Sequence, residues 1–101
     1  MFHLICYVPD EGRAAVKRAA FGAGAGRIGN YSECCWEVLG NGQFRPGAGS
    51  SPYTGVEGKL EISGEWRIEF MVDSENASMA LEAVRKAHPY EEPVCMLIPL
   101  A

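Results

Sequence analysis

Glu65-Trp66-Arg67-Ile68-Glu69-Phe70-Met71-Val72 is the clearest period-two stretch in the chain. Trp66, Ile68, Phe70 and Val72 fall on one side of a strand, and Arg67, Glu69 and Met71 on the other. The apolar side needs cover, and the next residues supply it. Ser74 reads as the cap of a helix over 75–87, in which Ala77, Ala80, Leu81, Val84 and His88 share a face and Glu82 pairs with Lys86 at i,i+4. Pro89 ends that helix. From Glu92 to Leu100 the chain is extended again, with Val94, Met96, Ile98 and Leu100 alternating against Cys95 and Leu97.

The N-terminal part has the same order. Phe2 to Val8 is an apolar run stopped by Pro9, a strand covered on both sides, with Leu4, Cys6 and Val8 opposite His3, Ile5 and Tyr7. Asp10 reads as the N-cap of a helix over 11–22 whose stripe is Ala15, Val16, Ala19 and Ala20, with Gly22 and Gly24 as its stop. A strand follows over about Gly29 to Leu39. Gly40-Asn41-Gly42 reads as a tight turn, Gln43-Phe44-Arg45 as a short return strand, and Pro46 to Gly58 as a mobile loop. Lys59 to Ser63 and Glu65 to Val72 are the next extended segments. The expectation is an α+β, ferredoxin-like βαββαβ sandwich with an added β-hairpin, both helices on one face of an antiparallel sheet.

Two helices leave the opposite face of such a sheet bare. His3, Ile5, Tyr7, Cys95 and Leu97 are expected there, an apolar patch that a monomer rarely leaves in water. A second copy of the chain is the expected cover.

Composition limits the functions available. The 101 residues set one domain, 1–101, as the expectation. With Lys+Arg 9 against Asp+Glu 13 the net charge is −4, which argues against nucleic acid as a partner, since phosphate binding draws on clustered cations. The apolar start at Phe2 stops too soon for an export signal or a membrane span, so the expected location is the cytoplasm, where the four cysteines stay thiols. Cys34 and Cys35 are adjacent and point to opposite faces of a strand, which rules out a shared tetrahedral site. Cys6 and Cys95 become neighbours if the first and last strands pair, leaving room for a redox or soft-metal role.

Two motifs carry candidate chemistry. Gly24-Ala25-Gly26-Arg27-Ile28-Gly29 spells a dinucleotide fingerprint but follows a helix instead of opening one, so it reads as a glycine-rich helix exit. His88-Pro89-Tyr90-Glu91-Glu92-Pro93 gathers an imidazole, a phenol and two carboxylates at a helix exit, where a protonated His88 would suit the helix C-terminus. These residues could hold a cation or a ligand amine. Tyr53, Phe44 and Arg45 add aromatic and cationic candidates from the middle of the chain. No nucleophile-and-base pattern is present.

Gly24 to Ser32, Gly42-Gln43-Phe44-Arg45-Pro46 and His88 to Pro93, taken together and in order, resemble the inserted domain of the YqfO-type, NGG-interacting factor three-like proteins. That domain is similar in fold to CutA and PII signalling proteins, whose sheets assemble into trimers. The resemblance implies a CutA/PII-like module that assembles into homo-oligomers, with a trimer favoured and a dimer as the alternative. It also implies that Arg27, Asn30, Tyr31, Phe44, Arg45, His88, Tyr90 and Glu91 line one shared surface. The family's dimetal site lies in flanking halves that this sequence lacks, so its hydrolase chemistry is not carried over. The leading expectation is a binding module without catalysis, for a small ligand, a metal ion or a protein partner. The alternatives are a divalent-cation protein using His88, Glu91, Glu92 or His3, and an enzyme whose site is completed between subunits.

Overall fold

A computed structural model describes residues 1–101. The elements run β1 (Phe2–Val8), α1 (Asp10–Gly22), β2 (Trp36–Phe44), β3 (Glu61–Val72), α2 (Ser74–Ala87) and β4 (Cys95–Pro99). The four strands form one sheet in the order β2-β3-β1-β4, antiparallel at every step. This is the ferredoxin-like arrangement expected from the element order.

The helix-side face forms the core. Leu4, Cys6 and Val8 of β1 meet Ile68, Phe70 and Val72 of β3, and Val16, Ala20, Ala77, Ala80 and Val84 close over them from the helices. Phe21 packs edge-on against Phe70, with ring centroids 5.6 Å apart. Small residues on both helices let them lie close to the sheet. Gly12 shows how close: a Cβ there would stand 2.8 Å from Pro89 Cδ and 2.9 Å from Val8 Cγ2. Trp66 sits at the margin of this face, donating from Nε1 to Asp10 Oδ1 at 2.9 Å beneath the Arg13 guanidinium, 4.0 Å from the ring centroid.

Four local expectations need correction. Gly40-Asn41-Gly42 is not a turn: β2 runs straight through it, pairing Gly40 with Glu65 and Gly42 with Ser63, so the expected hairpin is the outer half of the β2–β3 pair. The strand expected from Gly29 begins at Trp36, because residues 23–35 make an irregular helix exit. Asp10 and Ser74 are the first residues of their helices and not their caps. Asp10 is used by Trp66, and Ser74 Oγ accepts from the N-terminal ammonium at 2.8 Å.

The fourth correction concerns β4. Register pairs Cys6 with Cys95 and Leu4 with Leu97, so Cys95 and Leu97 join the helix-side core. Met96 and Ile98 take the opposite face instead, beside Ile5 and His3. That face carries His3, Ile5 and Tyr7, flanked on β3 by Met71, Glu69 and Arg67 and beyond them on β2 by Trp36 and Val38. Neither helix covers it, though Ile5 at its centre is only 2% exposed. Trp36 is 62% exposed and Ile98 41%.

Candidate functional site

The glycine fingerprint is absorbed by the backbone. Gly26 has φ +78°, its N–H donates to Met71 O at 2.7 Å, its carbonyl accepts from Cys34 N–H at 2.9 Å, and a Cβ would stand 2.7 Å from Cys34 O. Only glycine fits such a position. With both its backbone groups used, Gly26 has none to offer a phosphate, which agrees with the helix-exit reading.

The long connection between β2 and β3 is tied at its neck. Gly58 N–H donates to Pro46 O at 2.8 Å, and Arg45 Nη1 donates to Gly58 O at 2.9 Å. Ser51 N–H reaches Glu91 Oε1 at 3.1 Å, joining this loop to the segment after α2. Between loop and segment lies a pocket of about 330 Å³, at the small end of the range for small-molecule sites. Tyr90 stands at its centre, with the rings of Phe44 at 6.1 Å and Tyr53 at 6.0 Å between centroids. Glu65, Glu91 and Glu92 supply carboxylates.

Tyr90 is held by the helix exit. Its backbone N–H donates to His88 Nδ1 at 3.1 Å, and its ring lies against the imidazole with centroids 4.8 Å apart. Its hydroxyl is shielded from solvent and lies beside the Glu65 carboxylate and the Ser63 side chain, meeting neither in full hydrogen-bond geometry. Burial, followed by the nearby Glu65 carboxylate, raises the Tyr90 pKa, so it stays a phenol and a potential donor. Burial likewise raises the Glu65 pKa.

His88 differs from the protonated residue expected at a helix end. With Nδ1 accepting from Tyr90, Nε2 donates to Tyr7 O, and burial lowers its pKa, so the ring is neutral. Both nitrogens are occupied by protein. His3 Nε2 is paired with Glu69 Oε1 at 3.0 Å on the bare face. The metal candidates His3, His88, Glu91 and Glu92 do not converge, and no cluster of three or more His, Cys, Asp or Glu side chains is placed to hold an ion.

Of the eight residues named for a shared surface, Phe44, Arg45, Tyr90 and Glu91 line this one pocket, with His88 supporting Tyr90 from behind. Arg27 lines a different, open groove along α1 with Arg13, Lys17 and Arg18. Asn30 and Tyr31 are exposed in the turn after Gly29. Within one copy of the chain the eight residues therefore fall at two places. Glu65 is a pocket residue the sequence reading missed. Glu65 looked like any outward charge on a strand; its position opposite Gly40, next to Gly42, is the signal that brings it to the loop.

No protein-family model matches the chain. A protein from Mycobacterium leprae named GTP cyclohydrolase 1 type 2 homolog is 48% identical over 89 residues, which are 88% of this chain and 23% of that protein. One of the same name from Halalkalibacterium halodurans is 41% identical over 101 residues, all of this chain and 27% of the relative. This chain thus spans about a quarter of the length of such relatives. Among solved structures, a Bacillus cereus protein related to NIF3 superposes with a TM-score of 0.83 at 35% identity, over 98% of this chain and 25% of that one. The divalent cation tolerance protein CutA from Archaeoglobus fulgidus gives 0.69 at 18% identity over 99% and 84%, a likeness of fold alone. The chain has a CutA-like fold and is homologous to one segment of the NIF3-related proteins named GTP cyclohydrolase 1 type 2 homologs.

Proposed function

We propose that residues 1–101 act as one domain, a non-catalytic, homo-oligomeric binding module whose ligand sits in the pocket between the 46–58 loop and Tyr90. The carrying observation is the Tyr90 hydroxyl, shut off from solvent beside the Glu65 carboxylate in a pocket walled by aromatic rings. A buried polar group that is incompletely satisfied costs about 1–3 kcal/mol, and a ligand amine facing Glu65 and Tyr90 offsets that cost at the lone pairs the two leave unused. Carboxylates outnumber cations there, and Arg45 is already committed to Gly58. The fitting ligand is small and flat, with an amine or amidine group for Glu65 or Glu91 and a face for Tyr90, Phe44 and Tyr53.

The bare sheet face supports assembly. Ile98, Met96, Trp36 and Val38 are exposed there, and a second copy would bury them. On the CutA-like fold three copies are favoured, with two as the alternative. The acidic balance leaves nucleic acid outside this reading, no helix is long and apolar enough to cross a membrane, and the cytoplasm is the proposed location.

An NMR titration with benzamidine tests the pocket. Shifts confined to Phe44, Tyr53, Glu65, Tyr90 and their neighbours, weakened by Glu65→Gln, are expected; unchanged spectra, or shifts elsewhere, would contradict the reading. Equilibrium dialysis with zinc and copper tests the divalent-cation alternative. The occupied nitrogens of His88 lead us to expect no stoichiometric uptake; uptake abolished by His88→Ala would favour the metal protein.

A further inference from the structure

Cys6 and Cys95 face each other across the β1–β4 ladder, 0% and 6% exposed. Two backbone hydrogen bonds fix the kind of pair they make. Tyr7 N–H donates to Val94 O at 3.1 Å and Leu100 N–H to Met1 O at 3.0 Å, so the odd-numbered residues of β1 sit in hydrogen-bonded pairs. Cys6 therefore falls in the alternate kind, where partner Cα atoms approach to about 4.5 Å and side chains come closest. The two Sγ atoms are 2.8 Å apart. A disulfide requires Cα atoms roughly 4.4–6.8 Å apart, and this register meets that without moving the backbone.

We propose that Cys6 and Cys95 form a reversible dithiol–disulfide pair, a redox-modification site that ties β4 covalently to β1. It stands independently of any ligand in the aromatic pocket. The two thiols have separate roles. Hydrogen bonding between them, with burial, pushes the Cys6 thiol far up, while the Cys6 S–H, against the opposing effect of burial and with help from the Arg85 guanidinium, holds Cys95 below the ordinary thiol range. Arg85 Nη2 also donates to Cys95 O at 3.5 Å.

Cys95, on the edge strand and the more exposed of the two at 6% against 0%, is the attacking thiolate. The co-reactant is a low-molecular-weight disulfide such as oxidised glutathione. The Cys95 thiolate attacks one of its sulfurs, the small disulfide's S–S bond breaks, and one glutathione leaves as a thiolate that takes a proton from water. Cys6 then gives up its proton to solvent, attacks the Cys95 sulfur of the mixed disulfide, and expels the second glutathione. Two protein thiols are oxidised and one small disulfide is reduced to two thiols. Access comes through β4, a five-residue edge strand paired only to β1. Cys34 and Cys35 have no such cross-strand geometry.

The test uses the full chain carrying Cys34→Ser and Cys35→Ser, incubated with oxidised glutathione, quenched in acid, unfolded and treated with N-ethylmaleimide. Intact mass is expected to fall by two hydrogens with no maleimide added, and dithiothreitol is expected to restore two labelled thiols. Adding Cys6→Ser is expected to abolish the loss. In the chain that keeps both Cys6 and Cys95, label on both cysteines or a persistent glutathione adduct overturns the proposal; in the Cys6→Ser variant an adduct on Cys95 is the expected product. If the double variant does not fold, peptide mapping of the wild-type chain reads the same Cys6–Cys95 link or its absence.

Discussion

On β3, Ile68, Phe70 and Val72 are almost fully buried, while Arg67, Glu69 and Met71, their immediate neighbours, remain partly exposed. The same contrast crosses the sheet: Leu4 and Leu97 lie under the helices, His3 and Ile98 on the bare side. One face is finished within the chain. The other has the apolar content of an interface and a polar cluster at its centre, with Glu69 accepting from His3 and Arg67. The difference separates the residues that specify the fold from those left to specify what the fold meets.

The largest effect expected is from Phe70→Ala, which removes a ring packed on Phe21 and should cost about 3–5 kcal/mol in urea unfolding. Met71→Ala, one residue along and on the other face, should cost less than half as much in dilute protein. Equal costs would break the distinction between the faces. Next is oxidation of the helix-side Cys6–Cys95 pair, which should raise the unfolding free energy by about 2–4 kcal/mol over the reduced chain. An unchanged urea midpoint would detach that pair from stability.

A smaller effect lies at the junction of sheet and pocket. His88 is neutral when folded and its pKa is lowered by burial, so the unfolded chain takes the proton first. The stability His88 contributes is present above its ordinary value near 6.5 and lost as pH falls from there through the folded value. The urea midpoint should drop across that window in the wild type and drop less in His88→Gln; parallel curves would contradict the neutral assignment. Smallest is Glu69→Gln on the bare face, expected to cost only about 0.2–1 kcal/mol in dilute protein, as for other partly exposed ion pairs. A greater cost at high protein concentration would mark Glu69 as covered on assembly.

The helix-side face is legible in the sequence because its period is unbroken: Trp66, Ile68, Phe70 and Val72 on β3 and Ala77, Ala80 and Val84 on α2 each repeat on one side. Gly40-Asn41-Gly42 misleads because turn propensity is local, whereas these residues are held extended by pairing with Gly64, Ser63 and Glu65. β4 misleads because it is apolar at every position, so alternation cannot say which side faces the helices; the register against Cys6 decides it. The pocket is half legible. Phe44, Arg45, Tyr90 and Glu91 stand out as aromatics and charges beside loop residues, but Glu65 joins them only through the β2–β3 register. Arg27, Asn30 and Tyr31 share a motif and not a place with the others.

Sedimentation velocity on the wild-type chain and on an Ile98→Asp, Met96→Asp variant tests the reading of the two faces most directly. The wild type is expected to sediment as a multiple of 11.0 kDa, and the variant as a folded 11.0 kDa monomer with unchanged circular dichroism. A wild type that stays at 11.0 kDa across the micromolar range, or a variant that assembles as before, would contradict it.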